Sequence, residues 1–239
     1  LMALPVNIDS RLGKLEPGPM PILPPAARRT VDEWLEGWVC APRLAEAGKS
    51  APGPLLVYGP TGTGKTTLAH YIASVLAPAY FVDAHSIFDC YLGASGKNLS
   101  QVLMSAAQLR AFLVFEEADA LGTGRMPAGK VYESERNNIT IAFLRLLELH
   151  SGPVMATTNR RDDIDRALLR RFEYQICLPE PSFEQRLSIV ARVLGVRPDG
   201  LPKKRDLTDL VAIAKRAARL AVLREVDAKE IFETLVREK

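Results

Sequence analysis

Cysteine and histidine are scarce in this chain of 239 residues, with three of each. Cys40, Cys90 and Cys177 lie far apart and follow no metal-ligand spacing. An odd, sparse set fits a reducing compartment better than a disulfide framework, so a cytoplasmic setting is expected. His70, His85 and His150 are equally scattered and form neither a metal set nor a catalytic triad. No apolar run approaches the ~20 residues that a helix needs to cross a bilayer. Residues 1–10 lack a charged region followed by an apolar stretch, so no secretory signal is expected, and Leu1 ahead of Met2 suggests a trimmed fragment. Charge of one sign is lacking too: 31 Lys and Arg against 28 Asp and Glu leave +3, which by itself does not argue for nucleic acid. There is neither an internal repeat nor a low-complexity tract.

What the chain does have is apolar residues, 47% of the total, enough to bury a sizeable core and to exclude global disorder. Residues 1–27 contain Pro5, Pro17, Pro19, Pro21, Pro24 and Pro25, which bar regular helix; a linker or a strap over a neighbouring surface is expected. Thr30 is placed to cap a helix that carries Val31, Trp34, Leu35, Trp38 and Val39 at helical spacing. The two tryptophans are four apart and share a face, which reads as core packing. From Leu55 onward short apolar runs alternate with helical patterns. Strands are expected at Leu55–Tyr58, Tyr80–Val82, Phe112–Phe115, Val154–Thr157 and Tyr174–Leu178. Helices are expected at Gly64–Leu76, Leu99–Leu109 and Glu135–Leu149. Five such strands imply an α/β fold with a parallel sheet covered by helices on both faces. Beyond Pro181 the pattern is wholly helical, over Phe183–Leu194, Leu207–Leu223 and Ala228–Val236, and implies a small all-α second domain.

Gly59-Pro60-Thr61-Gly62-Thr63-Gly64-Lys65-Thr66 has the spacing of a phosphate-binding loop and sits between an apolar strand and a helix, the context that motif requires. Gly62 and Gly64 let the backbone turn its N–H groups inward around phosphate oxygens, and the following helix adds its positive end. Lys65 can reach the β- and γ-phosphates of ATP, Thr66 offers a hydroxyl to Mg²⁺, and Thr67 completes the set. A second strand, Phe112–Phe115, runs into Glu116-Glu117-Ala118-Asp119. Two adjacent carboxylates after four apolar residues are costly to place without a compensating cation. Aspartate is usual at the first of these positions, so Glu116 is a departure. Its carboxylate stands about 1.5 Å farther out, and either acts on the metal through a water or weakens metal binding. Glu117 is positioned as a general base toward the attacking water. The strand Val154–Thr157 leads into Thr158-Asn159, where the amide of Asn159 can contact the γ-phosphate and that water. By itself this last signal is weak, because Asn is also a common loop residue.

Taken in order, these motifs resemble the AAA+ ATPases, and within them the AAA subfamily proper, over roughly Thr30 to Leu223. Phe112–Asp119 is similar to the family's acidic strand and Ala156-Thr157-Thr158-Asn159-Arg160 to its sensor strand. Ile164-Asp165-Arg166-Ala167-Leu168-Leu169-Arg170-Arg171-Phe172 is similar to its second region of homology, in the Arg-Arg-Phe form of katanin- and spastin-like members. The resemblance implies a P-loop domain over residues 28–180 and a helical lid over 181–239. It also implies a ring, commonly a hexamer, with ATP at the subunit interfaces. Arg170 and Arg171 would be arginine fingers in the neighbour's site, a role worth ~10³–10⁵ in rate. Without the family order, the same pair reads as a solvated helix end or a local salt bridge. Tyr91-Leu92-Gly93 resembles the loop with which family members grip polypeptide in the pore; the alternative is a tyrosine packed under a loop. Residues 122–133 form either a second pore-facing loop or a plain surface loop. Lys203-Lys204-Arg205 reads as a solvated turn rather than a phosphate contact, and the lid shows no evident sensor arginine.

The function this implies is ATP-driven remodelling, unfolding or threading of a protein substrate by a homo-oligomeric ring, beside an adaptor or a separate protease. A DNA-associated loader or transposition regulator is the rival, but the basic stripe or appended DNA-binding element it requires is not visible. Glu116 keeps a third reading open, an ATP-gated switch with little turnover.

Overall fold

The computed structural model describes residues 12–83, 110–119, 140–141, 143–202 and 205–237. The chain divides into two compact units, one ending at Leu178 and the other starting at Pro179. The expected helix at 99–109, the Tyr91–Leu92 loop, residues 122–133 and the start of the expected helix at 135–149 lie outside the described residues, as do Cys90, His85, Lys203 and Lys204.

In the first unit, six strands form one sheet: β1 (Leu12–Lys14), β2 (Leu55–Tyr58), β3 (Ala79–Asp83), β4 (Phe112–Glu116), β5 (Val154–Thr158) and β6 (Tyr174–Cys177). Their order across the sheet is β1-β3-β4-β5-β2-β6. All neighbours run parallel except β1, which pairs antiparallel with β3, Leu12 opposite Val82. The sixth strand comes from the stretch expected to be a linker or strap. Three residues suffice because Leu12 and Leu15 are buried and the Leu15 N–H bonds the Ala79 carbonyl at 2.9 Å.

The central strands are apolar on both faces, and their alternation sorts the core into two layers. Leu55, Val57, Phe112, Val114 and Met155 pack on one side; Leu56, Leu113, Phe115, Val154 and Ala156 pack on the other. Helix α1 (Pro25–Val39) and α3 (Lys65–Ala73) cover the first layer through Val31, Trp34, Leu68 and Ile72. Helix α1 begins at Pro25, five residues before Thr30, because proline is tolerated at the first helical position, where its missing N–H costs nothing. Thr30 lies inside the helix, and its hydroxyl donates to the Ala26 carbonyl at 3.2 Å instead of capping. Trp34 is fully buried, lies edge-on to Trp38 and Phe112, and donates its indole N–H to the Gly53 carbonyl at 2.8 Å. A short helix α2 (Ala41–Glu46) follows α1. On the second layer, residues 143–149 form α4, whose Phe143 meets Phe115 edge to face at 4.8 Å. Helix α5 (Arg166–Leu169) adds the buried Leu168.

The second unit holds α6 (Phe183–Leu194), α7 (Leu207–Arg224) and α8 (Ala228–Arg237) around a core of Leu187, Val190, Leu210, Ala214, Ala217 and Phe232. Ser182 and Gln185 form a reciprocal capping box at the start of α6, and Gly195 ends that helix in the left-handed region. Asp206 caps α7 by accepting from the Thr208 N–H at 2.6 Å, a bond that lowers its pKa.

Just past α4, His150 Nε2 lies 2.9 Å from the Ala111 carbonyl, at the foot of β4. A carbonyl only accepts, so Nε2 carries the hydrogen and Nδ1, buried with no hydrogen-bond partner among the described residues, is the site left to titrate. Burial lowers the His150 pKa, with the bond to Ala111 opposing it. The unfolded chain therefore takes up this proton at a higher pH than the fold does. The contribution to stability is complete above the ordinary imidazole pKa of ~6.5 and declines as pH falls from there toward the depressed value. Urea unfolding at pH 7.5 and 5.5 should show a smaller acid-side loss of stability for His150→Gln, which keeps a donor for Ala111, than for the unaltered chain. An equal loss in both would exclude His150 as its source.

Candidate functional site

A parallel sheet directs the carboxyl ends of its strands to one edge, and β5 lies between β4 and β2. The ends of all three strands, each followed by a segment picked out in the sequence, are thereby gathered.

The first segment is the turn from β2 into α3. Gly59 opens it with φ +150°, and a Cβ there would stand 2.0 Å from the Leu178 carbonyl oxygen, so the close approach requires glycine. Gly64 closes it at φ +94°, in the left-handed region that favours glycine, and immediately precedes α3. Between them the Thr63 hydroxyl donates to the Pro60 carbonyl at 2.9 Å. Lys65 folds back over the loop and donates to the carbonyls of Gly59 and Pro60 at 2.7 and 2.8 Å. Partial burial lowers its pKa, against the opposing pull of Asp119 and Glu116.

The end of β4 meets this loop. Glu116 Oε1 accepts a hydrogen bond from the Thr66 hydroxyl at 2.7 Å. The extra methylene of Glu116 therefore does not carry its carboxylate away from the loop. Glu117 takes φ +53°, a left-handed conformation that costs a non-glycine residue ~1–2 kcal/mol. The turn lets the Ala118 N–H bond the Thr157 carbonyl at 2.8 Å, joining the acidic segment to β5.

At the end of β5, Thr157 and Thr158 are the buried polar residues of this edge. The Thr158 hydroxyl donates to Asp119 Oδ1 at 2.7 Å and accepts from the Arg160 N–H at 2.9 Å. Sequence reasoning passed over this Thr158–Asp119 link. The available signal was a pair of threonines ending a strand apolar on both faces, where a hydroxyl needs a partner. Asn159, next in line, is exposed at the strand end.

The arginine pair follows α5, whose start is capped by Asp165 accepting from the Ala167 N–H at 2.7 Å. Arg171 is bound within the chain, 2.9 Å from Glu148 Oε1. Arg170 is exposed and forms no side-chain hydrogen bond or ion pair among the described residues. The structure thus brings Lys65, Thr66, Glu116 and Asp119 together and separates the two arginines into one paired with Glu148 and one without a side-chain partner among the described residues. Tyr91 and Leu92 lie outside the described residues.

These residues suit a hydrated, phosphate-bound Mg²⁺. Among the described residues no set of three or more His, Cys, Asp or Glu could enclose a metal, while a hydroxyl beside one carboxylate is the sparse oxygen donor set that Mg²⁺ uses with nucleotide phosphates. Among the described residues no helix is long and apolar enough to cross a membrane.

The two glycines should fail differently when a methyl group is added. Gly64→Ala meets open space and only the backbone penalty of about 1–2 kcal/mol, whereas Gly59→Ala also collides with backbone at Leu178. Thermal unfolding should rank Gly59→Ala well below Gly64→Ala; the reverse order would contradict this loop geometry.

The model of the ATPase family associated with various cellular activities (AAA) matches residues 55–180, more than half of the chain. The chain is 31% identical over 182 residues to the ATP-dependent zinc metalloprotease FtsH of Cutibacterium acnes, covering 73% of this chain and 25% of that one. It is 30% identical over 226 residues to protein CdcH of Halobacterium salinarum, covering 86% and 30% respectively. With fidgetin-like protein 1 of Caenorhabditis elegans, identity is 33% over 176 residues, covering 67% and 29%. The chain thus spans about a quarter to three tenths of the length of these relatives. The matched span contains the phosphate loop, the acidic strand end and the arginine turn together, and the chain belongs to the AAA family of ATPases, whose nucleotide-binding domain it carries.

Proposed function

We propose that this chain hydrolyses ATP at the interfaces of a homo-oligomeric ring, of the hexameric kind, and uses the energy to remodel, unfold or thread a protein substrate. The observation that carries the nucleotide site is the 2.7 Å bond from the Thr66 hydroxyl to Glu116, which joins loop and acidic strand end. Residues Gly59 to Thr67 bind the phosphates, and Thr66 with Glu116 holds Mg²⁺. The metal supplies charge neutralisation on the phosphate oxygens when bound. Lys65 leaves its two carbonyl partners to donate to phosphate, Asn159 orients the attacking water, and Glu117 accepts its proton. Arg170, with Arg171 beside it, reaches into the neighbouring subunit's site and spreads charge off the transferring phosphoryl group. Tyr91 and Leu92 grip the polypeptide, residues 28–180 form the nucleotide-binding domain, and residues 181–239 form its lid.

A protein substrate is supported by the relatives' own names, which include an ATP-dependent metalloprotease and a 26S proteasome regulatory subunit. An adaptor or a separate protease is this chain's expected partner. The Arg-Arg-Phe run at 170–172 favours a place near katanin and spastin.

Two measurements test this. Arg170→Ala chains mixed with Glu117→Gln chains should turn over ATP faster than either alone, because intact fingers then meet intact sites across an interface. No gain from mixing, with assemblies still forming, would rule out action between subunits. For Glu116, the contact to Thr66 supports a working metal site, so Glu116→Asp should change the ATPase rate by less than about tenfold, ~1.4 kcal/mol of barrier. A larger increase would instead favour the ATP-gated switch.

A further inference from the structure

The turn that carries Arg170 and Arg171 is fastened by a side chain to which the hydrolysis chemistry assigns no role. Gln175 lies in β6, opposite Leu56 of β2. Its neighbours Tyr174 and Ile176 pack with the layer under α1, so Gln175 projects to the other face, that of Leu56, Leu168 and Phe172. Its Nε2 donates to the carbonyls of Leu169 and Phe172, at 3.2 and 3.5 Å, and these two carbonyls flank the arginine pair. Its Oε1 accepts from the Arg161 guanidinium at 2.9 Å. That guanidinium lies over the ring of Tyr58, 5.0 Å from its centroid. Tyr58 ends β2, directly before Gly59.

We propose that Gln175 is a positioning residue that couples, through Arg161 and Tyr58, the state of the phosphate loop to the Arg170–Arg171 turn of the same chain. The amide is suited to this place because it both donates and accepts. A glutamate would still receive Arg161 but could not donate to the two carbonyls. Arg171 is paired with Glu148 of α4, both half exposed, so a shift of the turn redirects chiefly Arg170, which has no side-chain partner among the described residues. That Arg170 then acts on a neighbouring subunit rests on the function proposed above; the coupling inside the chain does not. Its links are partly exposed, and an exposed cation–π contact sets a coupling of about two- to fivefold.

The test is hydrogen–deuterium exchange over residues 166–175 of the whole chain, with and without Mg²⁺ and a non-hydrolysable ATP analogue. Nucleotide should slow exchange there by about two- to fivefold in the unaltered chain and in Tyr58→Phe, which keeps the ring. The slowing should vanish in Gln175→Ala and in Tyr58→Leu. By linkage, nucleotide affinity in those two variants should fall by no more than the same factor, which separates a broken relay from a damaged phosphate loop. No nucleotide effect in the unaltered chain, or the full effect kept in Gln175→Ala, would overturn the proposal. Should Gln175→Ala not fold, the Tyr58→Phe and Tyr58→Leu pair decides the matter. Exchange within one chain does not depend on action between subunits, so failure here is distinct from failure of the mixing experiment.

Discussion

The hydrogen bond between Thr66 and Glu116 joins residues fifty positions apart, and it depends on the order of three strands. β2 delivers the phosphate loop, β4 delivers the carboxylates, and β5 lies between them as a spacer that bonds to both. The Gly59 N–H reaches the Thr158 carbonyl and the Ala118 N–H reaches the Thr157 carbonyl, at 3.2 and 2.8 Å, so the two flanking turns hang from adjacent carbonyls of one strand end. Moving β2 or β4 to the far edge of the sheet would separate loop from acid. The apolar alternation that buries both faces of the sheet is therefore also what assembles the site.

Much of this was legible in the sequence because it is encoded locally. The central strands are short apolar runs, the loop has a fixed spacing of glycines, and Lys65 and Thr66 follow it at the only positions the motif allows. What escaped was decided by tertiary context. Leu12–Lys14 is three residues amid prolines, too short to carry an alternation signal, and becomes a strand because β3 offers an open edge. Thr30 has the composition of a cap, yet Pro24 and Pro25 set the start of α1 by geometry that a capping rule ranks lower. The left-handed turn at Glu117 carries no glycine to announce it; a backbone bond to β5 holds it there.

The two arginines show the same limit. Read as a dipeptide they are equivalent, and nothing within several residues distinguishes them. Glu148, on a different helix, pairs with one, itself half exposed, and the other has no side-chain partner among the described residues. Gln175, on a different strand, holds the backbone on either side of them. The asymmetry belongs to the packed chain: one guanidinium is paired with a carboxylate, and the other, among the described residues, is not.

Lys65 shows how the charge of the loop is held within the chain. Its ammonium lies on two carbonyls of its own loop, an arrangement that uses two of its three donors and does not neutralise the charge. Partial burial then works against the charged form, and Asp119 and Glu116 only partly offset it. A polyphosphate reverses both conditions, since it brings negative charge and better acceptors to the same amine. On the proposed function, the carbonyls that Lys65 would give up are those of Gly59 and Pro60, the residues directly after Tyr58. In that reading the ligand's charge complements the ammonium, and the backbone that Lys65 would release lies beside the ring on which Arg161 rests.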